Sequence, residues 1–67
     1  MRERLRRERQ LAGLSQAQLA RQIGLSQQTV SKHELGLKAP QHFSVIRQYE
    51  RILKVSADAL FPDIFAE

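Results

Sequence analysis

Cysteine is absent from the 67-residue sequence, which excludes a disulfide framework and any metal site built on thiolates. Long apolar runs are also missing, and no stretch approaches the roughly 18 consecutive apolar residues that a membrane-spanning helix needs. The opening stretch is too rich in arginine to serve as an export signal. The length allows one domain with a small core. We therefore expect a single cytoplasmic domain over residues 1–67 that makes no contact with a membrane.

The sequence also has few of the features that an enzyme needs. It has no cysteine nucleophile, and its three glycines do not form a phosphate-binding loop. His33 and His42 are the only histidines, and no supporting set of metal ligands accompanies them. We predict no catalytic residue, no metal site and no cofactor. His33 is better interpreted as a packed or hydrogen-bonded side chain than as a metal ligand.

Positive charge points to a polyanionic partner. The formal net charge is +4 and the sequence pI is about 10.4, values typical of nucleic-acid-binding domains. Arginine is concentrated at the front, where two glutamates dilute it. A run of this kind is usually a solvated helix face with pairs such as Glu3–Arg7. Next to a DNA-binding motif, contact of some of these arginines with phosphate becomes the stronger interpretation. The run comprises Arg2, Arg4, Arg6, Arg7 and Arg9.

Residues 15–36 predict two short helices joined by a glycine turn. Ser15 is a suitable N-cap, and Gln18 completes a capping box. Gly24 would end the first of these helices in a left-handed conformation, Ser26 would cap the second, and Gly36 would close it. This layout, over about residues 15–35, is that of a helix-turn-helix. The residues expected to build the angle between the two helices include Leu19, Ala20, Ile23, Gly24 and Val30.

Apolar spacing predicts three further helices, which makes the chain all-α. One spans Glu3 to Leu11 or Ala12, with Leu5 and Leu11 facing inward. Another begins at Gln41 or His42 and ends at Leu53, and its inward positions are Phe43, Ile46, Tyr49 or Glu50, and Leu53. A short last helix, capped by Ser56, ends at Leu60 or Phe61 before Pro62. Residues 62–67 form a short apolar tail that contains Ile64 and Phe65.

The second helix of the motif has one polar face that is suited to reading DNA. Gln27, Gln28, Ser31 and Lys32 fall within an arc of roughly 140°, and Val30, His33 and Glu34 lie on the other side. A glutamine amide offers a donor and an acceptor together, which matches N6 and N7 of adenine. Lys32 could reach a guanine edge or a phosphate. On their own, two glutamines would be ordinary surface residues, but their place in the motif favours base readout.

The run from Arg9 to Gly36 resembles the Cro/lambda-repressor type of helix-turn-helix domain. The marks of the resemblance are Gly-Leu-Ser-Gln at 13–16, Leu-Ala at 19–20, Ile-Gly-Leu-Ser at 23–26 and Val-Ser-Lys at 30–32. Residues 55–61 resemble the short fifth helix of that family. The resemblance covers roughly residues 3 to 61. It implies a compact five-helix, lambda-repressor-like DNA-binding domain in which helices 2 and 3 form the helix-turn-helix.

The resemblance also implies roles for individual residues. Gln27, Gln28 and Lys32 match base-reading positions. Gln16, at the start of helix 2, would bind a phosphate with help from the helix N-terminus, and Ser26 and Lys38 match backbone-contacting positions. Arg9 and Glu34 match a family pair that would orient the reading helix, and Arg9 could also face a phosphate. His33 and Leu35 depart from the family pattern, and the loop after helix 3 is about one residue longer.

These observations lead to two functional hypotheses. The first is a transcriptional repressor that binds a palindromic operator of double-stranded DNA as a homodimer, with helix 3 in the major groove and a location at the nucleoid. The second is a DNA-binding antitoxin or accessory regulator that also holds a protein partner. The apolar residues Ile64 and Phe65 motivate the second hypothesis, although the same residues could form the dimer interface or cover helix 1.

Overall fold

A computed structural model describes residues 1–65, and within them it contains six helices and no strand. Ala66 and Glu67, the end of the predicted tail, lie outside the described residues. The all-helical expectation is confirmed, but the expected count of five helices is one too few for these residues. The helices are α1 (Glu3–Leu11), α2 (Gln16–Ile23), α3 (Gln27–Leu35), α4 (Phe43–Leu53), α5 (Ala57–Leu60) and α6 (Pro62–Phe65).

Local signals in the sequence explain where α2 and α3 begin and end. The Ser15 hydroxyl accepts a hydrogen bond from the backbone N–H of Gln18 at 3.0 Å, and the side-chain carbonyl of Gln18 accepts one from the backbone N–H of Ser15 at 2.8 Å. The predicted capping box is therefore present. Ser26 accepts the Thr29 N–H at 3.2 Å and so caps α3. Gly24 and Gly36 end the two helices with φ of 88° and 79°, values that glycine adopts without steric cost.

The core lies between α1, α2, α3 and the aromatic side chains of Tyr49 in α4 and Phe61 after α5. The rings of Tyr49 and Phe61 meet edge to face, with centroids 5.3 Å apart. Such contacts add to the free energy gained by burying the rings. The buried apolar cluster comprises Leu5, Leu19, Ala20, Val30, Tyr49, Leu53, Leu60 and Phe61.

Two side chains predicted to face inward are on the surface. Leu11 is 72% exposed and Phe43 is 74% exposed. Leu11 lies about 240° around the helix from Leu5, which puts it on the outer face of α1. Phe43 is the first residue of α4, one turn before the first core residue, Ile46, and its side chain extends beyond the packed part of the helix. For both residues the prediction was wrong.

The last part of the described chain folds as two single turns. Phe61 separates α5 from α6, and Pro62 opens α6 at the first helical position, where its missing N–H is not needed. Ser56 occupies the N-cap position of α5, but its side chain makes no capping bond there. The Ala57 N–H instead donates to the Glu50 carboxylate at 2.7 Å. No helix in the described residues is long and apolar enough to span a membrane.

Candidate nucleic-acid interface

The turn between α2 and α3 is held by backbone contacts around Ala20. The N–H groups of Gly24 and Leu25 both donate to the Ala20 carbonyl at 2.8 Å. The Ala20 side chain is buried, and so is Val30 on the facing side of α3. A small residue at the crossing lets two helices approach closely, and the left-handed Gly24 turns the chain between them. These residues therefore determine how α3 is presented.

One face of α3 is open to solvent. Gln27, Gln28 and Lys32 are exposed, and Ser31 is half-buried. Within residues 1–65, these four side chains make no hydrogen bond and no ion pair with the rest of the chain. We call Gln27, Gln28, Ser31 and Lys32 the reading face. It offers two amides, a hydroxyl and an ammonium group for contact with another molecule.

The opposite side of α3 carries a buried network of charged and polar groups. The Arg9 guanidinium donates from Nε to Glu34 Oε2 at 2.5 Å and from Nη2 to Glu34 Oε1 at 3.2 Å. Its Nη1 donates to the Leu14 carbonyl at 2.8 Å. The Gln16 amide donates to Glu34 Oε1 at 3.1 Å. This Arg9–Glu34 network joins α1, α2 and α3, and both charged side chains are buried.

The network bears on two residues that were assigned phosphate contacts. Arg9 commits three of its five N–H donors to Glu34 and Leu14, and little of its surface faces solvent. Gln16 uses one of its two amide N–H groups for Glu34 and is half-buried at the first position of α2. Contact of either residue with phosphate stays a prediction, and Gln16 has the more accessible donor.

His33 also packs on the inner side of α3, where it meets Tyr49 of α4. Its Nδ1 lies 2.8 Å from the Tyr49 hydroxyl, and the two rings meet edge to face. Burial, together with the nearby charges of Arg2 and Lys38, lowers the pKa of His33 from 6.5 to about 4, and burial is the largest cause. Burial likewise raises the pKa of the Tyr49 hydroxyl. His33 is therefore a neutral, hydrogen-bonded core residue, as the sequence predicts.

Arg2 is a buried residue whose role the sequence did not reveal. Its side chain forms a double hydrogen bond with the Asp63 carboxylate, at 2.9 Å and 2.8 Å. Its Nη1 donates to the His33 and Lys38 carbonyls at 2.7 Å and 2.8 Å. The guanidinium also lies 5.3 Å from the centroid of the Phe61 ring. Nothing local distinguishes Arg2 from the other arginines of this run, because Asp63 is 61 residues away in sequence.

Two further predicted phosphate contacts lie at the two ends of α3. Ser26 is exposed at the N-terminal end, where its hydroxyl also pairs with Thr29 Oγ1 at 2.9 Å. Lys38 is exposed in the loop after α3, and its backbone carbonyl is the one that accepts from Arg2. Both side chains are accessible from outside the domain.

The remaining arginines of α1 form a basic surface. Arg4, Arg6 and Arg7 are exposed. The ion pair within this helix joins Arg4 to Glu8 at 2.8 Å. It takes the place of the expected Glu3–Arg7 pair, and each of its partners lies one residue further along the chain. In the described part of the chain, no group of three or more His, Asp or Glu side chains is arranged to hold a metal ion.

Comparison with known proteins gives one family. A family model described as helix-turn-helix matches residues 5–60, which is most of the chain and covers α1 from its third residue together with all of α2 to α5. Neither a curated protein nor a solved structure matches the chain.

Proposed function

Because the chain belongs to the helix-turn-helix family of the Cro and lambda-repressor type, we propose that it represses transcription by binding a palindromic operator. Family membership makes it a DNA-binding transcription regulator, and this family is not typically enzymatic. The solvent-exposed reading face is the observation that supports binding to a specific operator sequence. Its side chains have no hydrogen-bond or ion-pair partner among residues 1–65, while the opposite side of the same helix is fixed by the Arg9–Glu34 network and by His33.

In this proposal α3 lies in the major groove and the reading face meets the base edges. Gln27 and Gln28 each present a paired donor and acceptor that suits adenine, and Lys32 suits guanine O6 and N7. Phosphate contacts fix the register without reading sequence, and Gln16, Ser26 and Lys38 are the residues proposed for them. The exposed arginines of α1 add a sequence-independent attraction to DNA.

The proposed repressor is a homodimer whose two reading helices enter successive major grooves, about 34–36 Å apart. A shallow groove of about 190 Å³ supports a self-association surface. We call it the Phe43 groove. Its lining has no carboxylate, lysine or arginine, so two copies of a chain with net charge +4 could meet there without opposing like charges. The lining residues are Pro40, Gln41, His42, Phe43, Ile46, Ile64 and Phe65.

The same groove supports a second candidate, a DNA-binding antitoxin or accessory regulator that docks a protein partner. Phe43, Ile64 and Phe65 are exposed apolar side chains that border one surface depression. Contiguous exposed apolar residues mark interaction sites more often than scattered ones do. The two candidates differ in what covers the groove, a second copy of this chain or a different protein.

Selection from random double-stranded DNA tests the first candidate. We expect enrichment of an inverted repeat, and enrichment of no repeat would contradict a dimeric operator-binding repressor. Gln28→Ala should then lower discrimination at one position of each half-site by about 1–3 kcal/mol and leave the other positions unchanged. Gln22→Ala is the matched control, because Gln22 is an exposed glutamine of α2 outside the reading face.

Sedimentation equilibrium of Phe43→Ser separates the two candidates. A dimer that buries the groove should dissociate more readily in this variant, because the variant lacks the aromatic ring whose burial would stabilise the dimer. Leu11→Ser is the control, since Leu11 is an equally exposed apolar residue on α1. If the wild-type chain is monomeric and binds DNA without forming a dimer, the groove is left to a different protein partner.

A further inference from the structure

Arg2 connects the end of α3, the loop that follows it and α6. Its side chain donates to His33 at the end of α3, to Lys38 in the following loop and to Asp63 in α6. Its backbone N–H donates to the Glu34 carbonyl at 2.7 Å. The residue is only 6% exposed. A side chain so placed has no surface to offer DNA, and its effect on binding must pass through the groups that it holds.

Of those groups, the Lys38 backbone depends most on Arg2. Among the described residues, the Lys38 peptide group has the Arg2 guanidinium as its hydrogen-bond partner, and no backbone group bonds to it. The loop leaves α3 through the left-handed Gly36, and Pro40 removes one N–H from it. The same Nη1 atom bonds both the His33 and the Lys38 carbonyls, so the loop is tied directly to the end of the reading helix.

We propose that Arg2 is a positioning residue for DNA binding, which holds the Lys38 loop against the end of α3 so that the Lys38 ammonium reaches the phosphate backbone. The last carbonyls of a helix lack hydrogen-bond donors within the helix, and they favour a nearby positive charge. The Arg2 guanidinium supplies both the donors and the charge at the end of α3. Asp63 and the Phe61 ring hold the guanidinium from the other side. α6 thereby acquires a role in the interface, although it is remote in sequence from α3.

This inference rests on the proposed DNA binding, but only on its sequence-independent part. A double-mutant cycle with Arg2→Met and Lys38→Ala, measured on a duplex of random sequence, therefore tests it even if no operator is enriched. We expect each single variant to lower affinity about tenfold and the salt slope by about one, as loss of one charge-assisted phosphate contact would. In the Arg2→Met background, Lys38→Ala should have little further effect.

Arg47→Met is the matched control, since it removes the same charge from an exposed arginine of α4 to which no DNA contact is assigned. Arg2→Met should weaken binding more than Arg47→Met does. Equal losses in the two variants would overturn the inference, and so would a Lys38→Ala effect of the same size in both Arg2 backgrounds. A purely structural Arg2 would lower the melting temperature but leave the salt slope of the folded protein unchanged.

Arg2→Lys keeps the proposal testable if Arg2→Met does not fold, which circular dichroism at the assay temperature would reveal. A lysine keeps the charge but lacks the planar fork that bonds Asp63 on one side and two carbonyls on the other. We expect part of the same loss of salt slope in this variant. A folded Arg2→Lys protein with the wild-type salt slope and the full Lys38→Ala effect would contradict the proposal.

Discussion

Both faces of α3 carry polar side chains, and the two sets have different surroundings. On the inner face, Glu34 bonds Arg9 and Gln16, and His33 bonds Tyr49. On the reading face, the exposed glutamines and Lys32 have no such partners within the described residues. One helix therefore carries polar groups that are satisfied within the fold and polar groups that remain available to another molecule.

The inner face of α3 shows how a small domain can present a rigid helix. Burying polar groups without partners is costly, and within residues 1–65 no buried side-chain nitrogen or oxygen lacks a partner. Directional bonds on the inner face restrict how α3 can rotate or slide, which an apolar contact alone would do less strictly. A rigid inner face lets the reading face meet base edges with little loss of conformational entropy.

Breaking the Arg9–Glu34 network should have the largest effect on stability. Glu34→Gln replaces the carboxylate with a neutral amide and leaves the Arg9 charge buried without a counterion. Removal of one partner of a buried ion pair typically costs about 3–5 kcal/mol. Since a domain of this size has a free energy of unfolding of about 3–10 kcal/mol, we expect the variant to be largely or partly unfolded at 25 °C. Urea denaturation followed by circular dichroism measures the loss.

Glu8→Gln provides the control for this prediction. It removes the same kind of charge from the exposed Arg4–Glu8 pair, and exposed pairs contribute about 0–1 kcal/mol. Similar losses in both variants would show that the inner face is no more important to stability than the surface. Replacing both partners, as Arg9→Met with Glu34→Leu, should recover much of the stability while removing the directional bonds.

Lowering the pH should reduce the free energy of unfolding through His33 on the inner face of α3. Its pKa is about 4 in the folded protein and 6.5 in the unfolded chain. Above pH 6.5 both states are neutral, and between pH 6.5 and 4 the unfolded state binds a proton that the folded state does not. The free energy of unfolding should therefore fall as the pH is lowered through this window, by up to about 3 kcal/mol, and no further from this group below pH 4.

Urea denaturation at several pH values measures the effect. In His33→Gln, whose amide can still bond the Tyr49 hydroxyl, the fall between pH 6.5 and 4 should be much smaller. A further fall below pH 4 would come from carboxylates such as Asp63, whose pKa the bonds from Arg2 lower. His42→Gln is the control, because it removes an exposed histidine that lies outside α3. An unchanged profile in His33→Gln would contradict the prediction, because it would mean that the pKa of His33 does not differ between the folded and unfolded states.

The local parts of the fold could be predicted from the sequence, because their causes are local. The capping box at Ser15, the left-handed glycines and the spacing of Leu5, Leu19 and Val30 each depend on residues a few positions apart. The division of α3 into a buried and an exposed side follows from helical periodicity. The prediction that Leu11 and Phe43 face inward was wrong, because both lie at helix ends and periodicity does not say where a helix leaves the core.

The long-range polar contacts could not be predicted in the same way. Spacing alone does not distinguish the buried Arg2 from the exposed Arg4, because only the fold brings Asp63 and the end of α3 to Arg2. The Arg9–Glu34 pair was expected from the family resemblance, but its burial and its bonds to Leu14 and Gln16 required the structure. The roles of the reading face stay predictions until DNA binding is measured.

The two helix caps offer the smallest and cleanest comparison between structure and binding. Ser15 caps α2 and Ser26 caps α3, each through a bond to the backbone N–H three residues on. Replacing an N-cap serine with alanine typically costs about 1 kcal/mol, so Ser15→Ala and Ser26→Ala should lower the free energy of unfolding by similar amounts. Only Ser26 is proposed to contact the DNA backbone.

Binding to a selected operator and to a random duplex distinguishes the two variants. Ser26→Ala should weaken both complexes by the same factor, because a phosphate contact carries no sequence information. Ser15→Ala should bind both as the wild type does, provided that the variant is folded at the assay temperature. If both variants bind like the wild type, Ser26 only caps α3, and the phosphate contacts at that end must come from other groups. If Ser26→Ala instead changes the preferred base, its effect passes through the neighbouring Gln27 and the tilt of the reading face.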